Sequence, residues 1–196
     1  ARLGYRHITY AEWVARWPSW NDRIAAMSDA VRRQLPVRYH PRCRVVGDLM
    51  ADLSSFARRE EPLPEGPWVG LLPGSKPAKL SVGMPFLLET ADRLARLQPG
   101  CRFLLPLAPT TSVDELLRFA GASNPIAARY SASVASVEQG ELVTGAGTRI
   151  RLLEQHPAHG PLSQCALALT TVGANTAELG ALAVPMIVIV PTQHLE

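Results

Sequence analysis

Two short stretches carry the residue types from which a ligand grip can be built. The first is Leu-Pro-Gly-Ser-Lys-Pro-Ala-Lys at 72–79, directly after the apolar run Trp68–Leu72. Gly74 permits a tight turn, Ser75 and the amides that follow can meet phosphate oxygens, and Lys76 adds positive charge. Lys76 and Lys79 are the only lysines among 20 basic residues, so their sharing one loop is suggestive, although a solvated loop explains them as well. No second glycine precedes the lysine at the spacing of a nucleotide-binding P-loop, which excludes that motif. The second stretch is Thr171–Pro185, which sets Gly173, Asn175, Thr176 and Glu178 between two apolar runs. Gly173 lets backbone approach a ligand, and Asn175 or Thr176 can cap the next helix, leaving its first amides for an anion. Glu178 falls about one turn into that helix, where a carboxylate can accept two hydrogen bonds from a ribose diol. Thr-x-Glu at a helix start is also ordinary capping chemistry, and local pattern alone favours that plainer reading.

The elements that must position these loops alternate. From Pro67 onward apolar runs of strand length are followed by turns and helical spacing: 80–97 with Leu80, Met84, Leu87, Leu88, Ala91 and Leu94 on one face, then a stop at Pro99-Gly100. Ser112 with Glu115 forms a capping box for the next helix, which Gly121 closes. A hairpin is expected about Gly145–Gly147, feeding a strand at 150–153, and short helices and strands complete the series to Val190. Continuous apolar strands alternating with helices predict an α/β fold with a doubly wound parallel sheet, covered on both faces. In such sheets ligands sit beyond the carboxyl ends of the strands, where both stretches would lie.

Residues 1–66 are less regular. A strand running into a helix capped by Ser28 and a second strand and turn in Arg44–Leu53 are expected, and the charged, then Pro/Gly-rich stretch Phe56–Pro67 is the linker candidate. The expected division is 1–66, the tail of a preceding domain with its linker, and 67–196, a Rossmann-like domain cut short at its carboxyl end. Strands such as that in Val45–Leu49 are then expected to lack sheet partners and to pack poorly. Tyr10, Trp13, Trp17 and Trp20 fall at helical spacing broken by Pro18, an aromatic stripe best read as an interdomain surface.

Composition bounds the rest. With 47% apolar residues the chain can bury a full core, and the net charge of +3 arises from 11 arginines against 8 acidic residues before Pro67, with 9 against 9 after it. No basic run with interleaved aromatics occurs, so nucleic acid is not an expected partner. Three cysteines without CxxC or framework spacing fit a reducing, cytoplasmic compartment. His156 and His159 form HxxH without a third ligand, so no metal is expected. Their position after the 150–153 strand puts them near a base pocket. The longest apolar run is broken by Pro185 and falls short of the roughly 20 residues of a spanning helix. The amino end lacks an initiating Met and a signal-peptide core, so both ends read as cut.

In order and spacing, Leu72–Lys76 with its long helix and the later 161–192 stretch resemble the carboxyl-terminal domain of lipid-A-disaccharide synthase and its relatives, glycosyltransferases of the GT-B fold. Leu72, Pro73, Gly74 and Ser75 match the first motif with Lys76 where the family carries Arg. Gly173, Thr176 and Glu178 match the second in kind, with Val172 and Asn175 as departures. Residues 1–53 look similar to the end of the acceptor domain. The resemblance implies UDP-sugar as donor substrate with no further cofactor, a lipid or sugar acceptor, and peripheral membrane association. It implies a nucleotide-sugar-binding set of Gly74, Ser75, Lys76, Gly173, Asn175, Thr176 and Glu178. It also places the general base in the amino-terminal domain, so no catalytic residue is expected in this chain, which should bind without turning over. A sugar-nucleotide epimerase of the same fold and a non-catalytic nucleotide- or partner-binding module are the competing readings.

Overall fold

The structure, a computed structural model, describes residues 4–53 and 62–190. Half of the linker candidate, 56–61, and the residues after Val190 lie outside the described residues. The chain divides into two compact units, Ala1–Asp52 and Leu53–Glu196.

In the first unit β1 (Ile8–Ala11), β2 (Arg23–Ala26) and β3 (Cys43–Val45) form a three-stranded parallel sheet in that order. Helix α1 (Asp29–Arg33) follows β2, and Ser28 caps it, its Oγ accepting from the Val31 amide at 3.4 Å. Ile24, Ala26 and Val31, with Ala11, Ala15 and Leu35, close a small core of their own. This corrects the expectation of unpartnered, poorly packed strands: β3 pairs along its length with β2. The aromatic stripe is also no helix. Tyr10 lies in β1, Pro18–Trp20 is a single 3-10 turn, and Trp13, Trp17 and Trp20 stay 78%, 67% and 70% exposed.

The second unit carries the α/β sheet that the alternating pattern predicts. In chain order come β4 (Trp68–Leu72), α2 (Pro77–Leu97), β5 (Arg102–Pro106), α3 (Val113–Ala120), α4 (Pro125–Tyr130) and β6 (Ala135–Glu138). They are followed by β7 (Glu141–Thr144), β8 (Arg149–Leu153), α5 (His159–Ser163), β9 (Leu167–Thr171), α6 (Ala174–Ala181) and β10 (Met186–Ile189). The sheet order is β10-β9-β4-β5-β8-β7-β6. The first five strands of that order run parallel, and β7 and β6 add an antiparallel edge. The β7–β8 hairpin is the one expected about Gly145–Gly147. The β6–β7 hairpin and α4 were not legible in the sequence pattern.

Successive strand residues point to opposite faces, and both faces are covered. Val69, Leu71, Phe103, Leu105 and Ile150 pack with Leu80, Met84, Leu87 and Leu116 of α2 and α3. Trp68, Leu72, Leu104 and Ala168 pack with Leu162 and Leu179 of α5 and α6. All five residues of β4 are buried, as the centre of such a sandwich requires.

Helix α2 contains Pro85, which has no amide to give the Ser81 carbonyl one turn back. The side chain of Asn124, 3% exposed, supplies the missing donor: its Nδ2 donates to Ser81 O at 2.9 Å and to Phe119 O at 2.8 Å. Its Oδ1 accepts from the Ile126 amide at 3.0 Å and so caps α4. One buried amide thus repairs a proline and starts the neighbouring helix.

The chain runs from β4 outward to β5 and β8, then returns past β4 to add β9 and β10 on the other side. The direction of winding therefore reverses between β4 and β9. In open parallel sheets that reversal opens a crevice at the carboxyl ends of the two strands, because their connections leave toward opposite faces.

Candidate functional site

Both stretches singled out in the sequence lie at this reversal, since β4 ends at Leu72 and the adjacent, parallel β9 ends at Thr171. Two direct bonds join the loops. Thr171 Oγ1 donates to the Pro73 carbonyl at 3.1 Å, and Lys79 Nζ, from the first turn of α2, donates to the Val172 carbonyl at 2.5 Å. The glycines make room for these ties. Gly74 has φ +93°, and a β carbon there would stand 3.0 Å from Lys79 Cδ; a β carbon on Gly173 would stand 2.7 Å from Lys79 Nζ. Neither place accepts a side chain without moving the lysine.

Helix α6 begins at Gly173, which has no side-chain cap. The expectation that Asn175 or Thr176 caps it is therefore corrected: both lie inside the first turn, and Thr176 Oγ1 donates back to the Gly173 carbonyl at 2.7 Å. A glycine start suits the close passage of Lys79, which a branched capping residue would obstruct. Glu178 lies one turn into the helix, as expected, half-buried and without an ion-pair partner among the described residues.

The loops border a crevice of about 480 Å³. Gly74, Ser75, Asn175 and Glu178 of the expected set line it; Lys76, Gly173 and Thr176 do not. Lys76 is instead the exposed N-cap residue of α2. The remaining wall comes from Pro106–Pro109 after β5 and from His156–His159 after β8. His156 and His159 stand on this wall, beyond the end of β8. The Pro106–Pro109 wall was missed, and its one signal was that it too follows an apolar parallel strand. The lining thus offers one carboxylate, two imidazoles, a hydroxyl and an amide against an apolar background, the mixture typical of a small-molecule pocket of this size. The Nδ1 of His159 is buried and has no hydrogen-bond partner.

Comparison with known proteins finds partial relatives. A lipid-A-disaccharide synthase of Pseudomonas fluorescens (strain Pf0-1) is 38% identical over 92 residues, 42% of this chain and 24% of that protein. The synthase of Chromobacterium violaceum is 31% identical over 123 residues, 58% of this chain and 31% of the relative. The chain therefore spans about a quarter to a third of the length of these relatives. No family model matches it. A crystal structure from Listeria monocytogenes, assigned as a UDP-N-acetylglucosamine 2-epimerase, superposes with a TM-score of 0.56 at 14% identity, covering 89% of this chain and 44% of that one. At that identity the likeness speaks for the fold alone, a GT-B-like α/β architecture. Sequence and fold together make the chain similar to glycosyltransferases of that architecture, coarser than any one activity.

Other features do not add a centre. Among the described residues no cluster of three or more His, Cys, Asp or Glu could hold a metal, and no helix is long and apolar enough to cross a membrane. Cys165 is buried against the α5–α6 face, and burial pushes its thiol up to about 12.

Proposed function

We propose that the second unit is the donor-binding half of a glycosyltransferase and that its crevice holds the UDP of a UDP-sugar. The observation that carries the reading is that the two stretches resembling lipid-A-disaccharide synthases, almost 100 residues apart, are bonded to each other at the reversal point of the sheet. In the proposed pose the ribose diol donates to Glu178, while Gly74, Ser75 and the first amides of α6 face the diphosphate. Sugar transfer builds negative charge on the leaving diphosphate, so donors aimed there lower the barrier, and the base for the acceptor hydroxyl comes from outside this unit. The acceptor, a lipid or a sugar, and peripheral attachment to a membrane are further parts of the proposal.

Calorimetric titration with UDP tests it. Glu178→Gln keeps the shape and removes the charge that strengthens the ribose bonds, so affinity should fall by about 1 to 3 kcal/mol with the melting temperature unchanged. Equal UDP affinity in wild type and variant removes Glu178 from the site. Absence of UDP binding by the wild type removes the donor reading.

A further inference from the structure

The crevice has a charge problem. A diphosphate bound beside Glu178 needs compensation, yet among the described residues no Lys or Arg lines the pocket. Lys76 stands exposed at the start of α2, outside the lining, and Lys79 also stands outside it, bonded to the Val172 carbonyl. The wall after β5 brings only Pro106, Leu107, Ala108 and Pro109, none of them ionisable. The wall after β8 brings two imidazoles, and among the described residues these are the only lining groups that can become cations.

His159 opens α5 and is half-buried, and its Nδ1 is sealed from solvent without a hydrogen-bond partner. Buried polar atoms are almost always paired, so an orphan on a pocket wall calls for an explanation. Both ring nitrogens are donors in an imidazolium, and a ring not tied to the protein through Nδ1 can turn toward an anion. His156, three residues earlier, is exposed on the same wall.

Resting on the donor reading above, we infer that His156 and His159 are ligand-contacting residues which, as imidazolium, supply the positive charge that grips the diphosphate of a nucleotide sugar. They take over the role for which Lys76 is misplaced. The polar groups that share the lining with them are Glu178 from α6, with neutral Ser75 and Asn175, and Lys76 follows Ser75 in sequence.

The test is calorimetric titration of the full chain with UDP-N-acetylglucosamine, whose esterified phosphates do not titrate across the imidazole range, at about pH 8 and about pH 5.5. Wild type should gain roughly 10-fold in affinity at the lower pH, the scale of a charge-assisted hydrogen bond. His156→Asn with His159→Asn should abolish that gain, Lys76→Gln should keep it, and uridine, which lacks phosphate, should bind alike at both pH values. In wild type itself, two imidazole ring signals should shift on saturation with UDP-N-acetylglucosamine, a readout independent of whether the double variant folds. Binding that is equal at both pH values, a gain retained in a folded double variant, or unmoved ring signals overturns the inference and leaves the donor reading standing. A wild type that binds neither UDP nor UDP-N-acetylglucosamine at either pH overturns the donor reading, and the inference with it.

Discussion

Replacing Asn124 by Ala should destabilise the second unit well beyond what a buried side chain of that size suggests. The side chain makes three bonds: it donates to Ser81 O and Phe119 O and accepts from the Ile126 amide. Loss of the helix cap costs about 1 kcal/mol. The Ser81 carbonyl has no amide to fall back on because Pro85 stands one turn ahead, and a buried acceptor left unpaired costs about 1 to 3 kcal/mol. The sum is about 2 to 4 kcal/mol. Pro85→Ala gives Ser81 O a backbone donor again, so in that background the Asn124→Ala loss should shrink by about 1 kcal/mol or more. Urea denaturation of the four proteins, wild type, both singles and the double, measures the coupling. Strict additivity would refute the claim that the asparagine repairs the proline.

Other substitutions test the packing around the crevice. Gly83→Ala should destabilise by about 1 to 2 kcal/mol, since overpacking outweighs the gain in helix propensity: the new β carbon would meet Pro73 O at 2.8 Å and Thr171 Cγ2 at 3.1 Å. Gly180→Ala, with nothing within 4 Å, should instead stabilise by about 0.4 to 1 kcal/mol, and thermal melts compare the two. Cys165 should resist a thiol reagent at pH 8 until the protein is unfolded, whereas half-buried Cys43 and Cys101 should react first, as stopped-flow labelling would show. The Arg93 guanidinium, and then the Ser133 hydroxyl, hold the Glu89 carboxyl below its ordinary 4.5. The stability this contributes is fully present above about that value and is lost as pH falls through the lowered one, so Glu89→Gln should narrow the gap in melting temperature between pH 7 and pH 3.

The sheet was legible because β4, β5, β8 and β9 are continuous apolar runs bounded by turn residues, and a strand buried on both faces leaves that mark on the chain. Ser28 and Ser112 were legible as caps because capping is a local bond, made within three residues. What escaped notice depends on distant partners. Helix α4 is short and is started by Asn124, whose buried place follows from a proline some 40 residues earlier. The start of α6 reads as a Thr or Asn cap until Lys79 is seen to cross over Gly173. In the first unit, the parallel pairing of β3 with β2 could not be read from a strand of three residues, only one of them half-buried. The tie between Thr171 and Pro73 joins residues 98 apart, and no window along the sequence contains both.

That long-range tie also makes the crevice a sensor of whether the second unit has finished folding. Its walls are the ends of the first strand of the sheet and of one of the last, so no partly assembled unit that lacks β9 possesses a binding site. By mass action a ligand that recognises only the completed crevice pulls the whole sheet toward closure, by about 2.7 kcal/mol at 100 times its dissociation constant.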